Sequence, residues 1–157
     1  MTIAVRYFYK NTQKSQVKEL IISSLINSLS TLISLPNEFE ICIYDLPNNV
    51  YGGMDKYIHH RIGLNASLTL EDIPKILVHE LIHVHQCHTK LLEIKNGGIY
   101  YWRGIPYDNI MPDDMSYQDY KNCPWEIDVE MKIDNLLTLS LELAKKQHLT
   151  KLDNKPT

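Results

Sequence analysis

The sequence predicts an α+β fold: a small mixed or antiparallel sheet packed against helices. Three observations carry that expectation. Runs of β-branched and aromatic residues lie early in the chain. Three longer stretches repeat apolar residues at helical spacing. The two kinds follow the order β-α-β-β-α, then a loop or hairpin and a last helix, which suits a sheet with helices over it. At 157 residues the chain fits one domain, expected over residues 1–150, with 151–157 as a loose tail.

"IAVRYFYK" (residues 3–10) reads as the first strand. From Thr12 or Ser15 onward Val17, Leu20, Ile21, Leu25, Leu29, Leu32 and Ile33 keep helical spacing, and Pro36 ends the segment. "EFEICIYDL" (38–46) alternates, with Phe39, Ile41 and Ile43 on one face, and predicts a second strand. "PNNVYGGM" is turn chemistry, and residues 56–65 predict a third strand. A helix then starts near Thr69–Ile73, where Thr69 and Asp72 resemble a capping box and Pro74 suits only a first turn; it should end by 96–98. "GIYYWRGIPYDN" predicts a strand and turn or small hairpin, followed by a polar loop to Asn122. Pro124 opens a long helix with Val129, Ile133, Leu136, Leu137, Leu141 and Ala144 as its apolar stripe.

Composition excludes several roles. A net charge of −3 without a long basic run argues against nucleic acid as a partner. The N-terminal segment lacks the pattern of a secretory signal, and no apolar run reaches the ~20 residues of a membrane span. Cys42, Cys87 and Cys123 are scattered without C-x-x-C spacing and read as reduced thiols, so a cytoplasmic location is expected, with no membrane partner.

The chemistry lies in "KILVHELIHVHQCH" (75–88). His79-Glu80-Leu81-Ile82-His83 is an H-E-x-x-H motif. Spacing i,i+4 puts both imidazoles on one helix face, close enough to hold one zinc ion, with Glu80 beside it as general base and acid. So short a pattern also arises by chance. Here it lies among Ile76, Leu77, Val78, Leu81, Ile82 and Val84, where imidazoles and a carboxylate are costly to bury without partners. His85 and His88 cannot close a tetrahedron with His79 and His83 on a straight helix, and Thr89 stands where a metzincin would have a third histidine.

A catalytic zinc needs a third protein ligand and one open position. In "PWEIDVEMKID", Glu126 and Glu130 lie on or beside the apolar stripe of the last helix. Glu126 is the better ligand candidate and Glu130 the alternative. An acidic first turn explains Glu126 by the helix dipole alone, but not two carboxylates aligned with a buried stripe. Tyr107, Tyr117 and Tyr120 lie between the two helices and form the pool for an oxyanion donor, though packing accounts for such residues too. Residues 57–64 could pair with an extended substrate backbone or be an ordinary strand.

H-E-x-x-H on one helix with a glutamate from a later one resembles the gluzincin group of zinc metallopeptidases. The nearer likeness is to small single-domain minigluzincins and to phage-type and bacterial metallopeptidase-like proteins. It covers roughly residues 61–132, through "RIGLN…LVHELIHVHQ" and "YWRGIPY…YKNCPWEIDVE". The resemblance implies a zincin-like fold, one Zn2+ per chain on His79, His83 and Glu126, and a peptide or protein substrate. It also implies that Glu130, where aspartate is commoner, steadies a metal histidine from outside the coordination sphere. The alternative is a catalytically silent, zinc-stabilised binding or phage/host-interaction protein of the same fold. A SprT-like protease would need a later third histidine and a basic or Cys-rich module, neither of which is evident.

Overall fold

The computed structural model describes residues 2–47, 50–107 and 115–153. Its elements run β1 (Ala4–Lys10), α1 (Gln16–Leu29), β2 (Glu38–Tyr44), β3 (Gly52–Met54), β4 (Arg61–Asn65), α2 (Ile73–His88), β5 (Leu92–Lys95), β6 (Ile99–Trp102), β7 (Ile105–Tyr107), α3 (Tyr117–Lys121) and α4 (Pro124–Asp153). The fold is α+β, with four helices among the described residues. Two sheets divide the strands. One has the order β1-β2-β4-β3, parallel except for antiparallel β3; the other is the antiparallel meander β5-β6-β7. Among the described residues no helix is long and apolar enough to cross a membrane.

Alternation along β2 and β4 turns Phe39, Ile41, Ile43, Ile62 and Leu64 into the core. There they meet Ile22, Leu25, Ile26 and Leu29 of α1, Leu77, Val78, Leu81 and Ile82 of α2, and Val129 and Ile133 of α4. Ser15 caps α1 by accepting from the Lys18 amide at 3.3 Å. Thr69 and Asp72 bond each other just ahead of α2, and Pro74 falls in its first turn as expected. A second, smaller core joins Cys87 and Trp125 to Leu92, Tyr100 and Trp102 of the meander and to Cys123. All three cysteines are free and buried.

Several boundaries differ from the sequence expectation. The helix expected to end by residues 96–98 already stops at His88, and β5 occupies 92–95. The break follows Thr89, where Lys90 takes φ 61, a left-handed conformation that a helix cannot propagate. Similarly, α1 stops at Leu29 although its apolar spacing continues to Ile33. The third strand begins at Arg61 rather than 56, because Asp55 Oδ1 accepts the amides of Tyr57 and Ile58 and ties that segment into a turn. The expected hairpin forms, with Arg103 and Gly104 at positive φ between β6 and β7. Residues 108–114 of the predicted polar loop and 154–157 of the predicted tail lie outside the described residues.

The supposed turn "GGM" is instead strand β3, an edge strand on β4. Gly52 is needed there. A Cβ at that position would lie 2.8 Å from the Gly63 carbonyl oxygen and 3.4 Å from Ile76 Cγ2, whereas a Cβ on Gly53 meets nothing within 4 Å. Gly52→Ala should therefore force β3 off β4 at a cost of about 1–3 kcal/mol. Thermal melts should show a loss of about 2–4 °C per kcal/mol, with Gly53→Ala close to wild type.

Candidate metal centre

The core helix α2 carries His79, Glu80 and His83, and α4 packs across it from its first turn onward. Pro124 starts α4, which places Trp125 and Glu126 facing α2. Trp125 is wholly buried against Tyr100 and Tyr107 at ring separations of 5.1 and 5.5 Å. That packing fixes Glu126, itself only 5% exposed.

His79, His83 and Glu126 converge, with one ligand atom from each lying within 4.8 Å of the others. Glu126 Oε1 is 3.0 Å from His83 Nε2, and Oε2 is 3.5 Å from His79 Nε2. Despite that closeness His83 Nε2 and Glu126 Oε1 are buried without a hydrogen-bond partner. Orphaned buried polar atoms are rare and costly. Two of them facing one point, alongside a third nitrogen, are what a cation would satisfy. Two imidazole nitrogens and one carboxylate oxygen form a donor set that could hold a metal ion. Among the described residues this is the one group of that kind.

Protonation tendencies follow from burial and from the closeness of these groups. Burial, then the neighbouring His83, holds His79 below its ordinary value and so in the neutral form that ligates. For His83 burial pushes down, but the Glu126 carboxylate outweighs it and the net shift is upward. Burial would raise Glu126, yet His83, Tyr120 and His79 hold it below the ordinary carboxylate range. Glu80 behaves differently: burial pushes it up to about 7.

His83 is steadied by Gln86, a residue the sequence reading passed over. The Gln86 amide nitrogen donates to the Trp125 carbonyl at 2.9 Å and to Asp128 Oδ2 at 2.8 Å. Both partners only accept, so the orientation of the amide is chemically forced. Its Oε1 must then accept from His83 Nδ1, at 2.9 Å. In the neutral imidazole the proton therefore sits on Nδ1, which leaves the lone pair of Nε2 toward the site. Lys132, 2.7 Å from Asp128, completes the chain. Gln86→Leu should weaken metal binding about 10- to 100-fold, the usual cost of losing such a support. Zinc titration monitored by calorimetry checks this.

The other expected residues fall as follows. Glu130 is exposed on the wall of a cavity beside His79, and the side chain that bonds a site histidine is Gln86 instead. Tyr120, half-buried, borders the site and neighbours Glu126; burial, then that carboxylate, pushes its hydroxyl up. Tyr117 is exposed on the outer wall, with Lys121 over its ring, and Tyr107 packs on Trp125 away from the site. His85 bonds the Ser34 carbonyl and His88 is exposed, so neither joins the cluster. The backbone-pairing role considered for residues 57–64 does not fit β4, which is already paired on both sides by β2 and β3. Beside β4, the strand at the edge of the sheet is β3. Asn65 holds the chain leading into it by donating to the Val50 carbonyl at 2.6 Å.

The chain matches no protein-family model, no curated protein and no solved structure. What it does is therefore read from the chemistry of the site itself.

Proposed function

We propose that this chain is a zinc-dependent metallopeptidase of gluzincin-like type, on a zincin-like fold, with one zinc ion per chain and a peptide or protein substrate. The observation that carries the reading is the convergence of His79, His83 and Glu126 with a half-buried carboxylate, Glu80, that borders open space on two sides. His79, His83 and Glu126 would hold the zinc ion, which when bound would supply Lewis-acid chemistry toward a water and a carbonyl.

The chain's own groups supply the proton chemistry and positioning. The Glu80 carboxylate accepts a proton from the attacking water and delivers it to the leaving amine nitrogen. Tyr120 is the donor best placed for the developing oxyanion, since its ring borders the same space as Glu80 and Glu126; Tyr117 is set further out. Among the described residues β3 lies at the edge of its sheet, where its backbone groups can pair with an extended peptide.

A purely structural metal has no use for Glu80, so that carboxylate favours an enzyme over a silent binding protein. Glu80→Gln tests the choice: metal content should stay and peptide cleavage should be lost.

A further inference from the structure

Open space beside the site divides into two unlike cavities. Gly52, Glu80 and Tyr120 border both, so they form the septum between them. The larger, about 690 Å³, has Lys75, Lys121 and Glu130 on its walls and reaches the exposed rings of Tyr51 and Tyr117. The smaller, about 300 Å³, runs from Glu80 and His83 under β3 to the meander. Its walls are Met54, Leu92, Ile94, Tyr100 and Trp125.

On the proposed peptidase reading the scissile bond lies at Glu80, because that carboxylate must reach both the water and the leaving nitrogen. The flanking residues of an extended substrate then fall one on each side of the septum. We infer that the smaller cavity is a side-chain chamber that selects a large apolar residue next to the cleaved bond. Its floor is rigid: Trp125 is 1% exposed, stacks on Tyr100 and is held by the Gln86 bond to its carbonyl. The half-buried side chains of Met54 and Ile94 leave accessible apolar surface facing that floor. The volume is at the lower end of the range for small-ligand pockets, about 300–1,000 Å³, and so suits one side chain rather than a folded segment. Backbone from β3 borders the chamber at Gly52 and Gly53, where no side chain stands in the way. Because Lys56 also borders it, an acidic residue is the competing occupant to test.

The test uses zinc-loaded Glu80→Gln protein and a Gly/Ser-rich host peptide with one guest residue: Leu, Phe, Ala, Asp or Lys. Binding is read by calorimetry and, separately, cleavage of the same set by the wild type. Leu and Phe peptides should bind about 10- to 100-fold more tightly than Ala, the scale of burying one such side chain. Ile94→Asp should abolish that preference and Ile94→Ala should reduce it, both with unchanged zinc content. Equal binding of Leu and Ala peptides, no binding of any, a preference for Asp, or a Leu preference surviving Ile94→Asp would each overturn the chamber. Failure of the peptidase reading looks different: selective binding persists while the wild type cleaves none of the set. Cleavage without preference would do the reverse, leaving the enzyme standing and removing the chamber.

Discussion

Zinc should raise the melting temperature of the wild-type protein by about 10 °C and that of Glu126→Ala hardly at all. A ligand at 1,000 times its dissociation constant stabilises the folded state by about 4 kcal/mol. In a domain of this size each kcal/mol moves the midpoint by about 2–4 °C. Glu126 contributes the oxygen that meets His83 Nε2 at 3.0 Å, from a side chain that also neighbours Tyr120 and His79. With alanine there, only two imidazoles remain on one face of α2, and no neighbouring carboxylate on α4 can take over. Glu130 is one turn further along and exposed, so Glu130→Ala should keep the full zinc-induced shift. The loss in Glu126→Ala should exceed the roughly 100-fold limit expected for Gln86→Leu, since a direct ligand is removed rather than its support. Metal analysis after dialysis gives the independent reading. Full zinc occupancy in Glu126→Ala would show that the third donor lies elsewhere.

The site was legible in the sequence wherever one helix contained the information. His79 and His83 are four apart, so the period of α2 alone sets them side by side. Glu126 could be read because Pro124 fixes the start of α4 and the stripe through Val129 and Ile133 fixes its face. What supports His83 could not be read this way. Gln86 and Asp128 are on different helices, and only the crossing of α4 over α2 brings the amide to both the Trp125 carbonyl and the Asp128 carboxylate. Periodicity pointed to Glu130 because it shares a face with Glu126, but one turn further along its side chain is exposed on the cavity wall, while Glu126 is the carboxylate that meets the histidines.

Among the strands, β1 and β2 announced themselves by alternation and β-branched content, whereas β3 did not. Its "GGM" has turn composition, and what makes it a strand is pairing to β4 with the Gly52 backbone seated against Gly63. The β5 segment "LEIK" was hidden for the opposite reason. Leu91, Leu92 and Ile94 continue the apolar spacing of α2, and the left-handed turn at Lys90 uses a residue type that gives no warning of it. The consequence is functional, because β3 and β5 supply walls of the smaller cavity.

Glu80→Gln should lower kcat by about 10²- to 10⁴-fold while leaving the zinc-induced thermal shift intact. Glutamine keeps the shape and hydrogen-bonding reach of the side chain but cannot accept the proton. It should fold normally, because burial already holds the wild-type carboxyl far above its ordinary value and so toward the neutral form that glutamine mimics. The metal should stay because Glu80 is absent from the converging set of His79, His83 and Glu126. Zinc content and peptide cleavage, measured on the same preparation, separate the two halves of the reading. Lost zinc would make Glu80 part of the metal's support rather than its chemistry. Retained zinc with lost cleavage assigns the proton transfer to this carboxylate. Cleavage at the wild-type rate would move that work elsewhere, and with it the reason for placing an acid beside two histidines on a core helix.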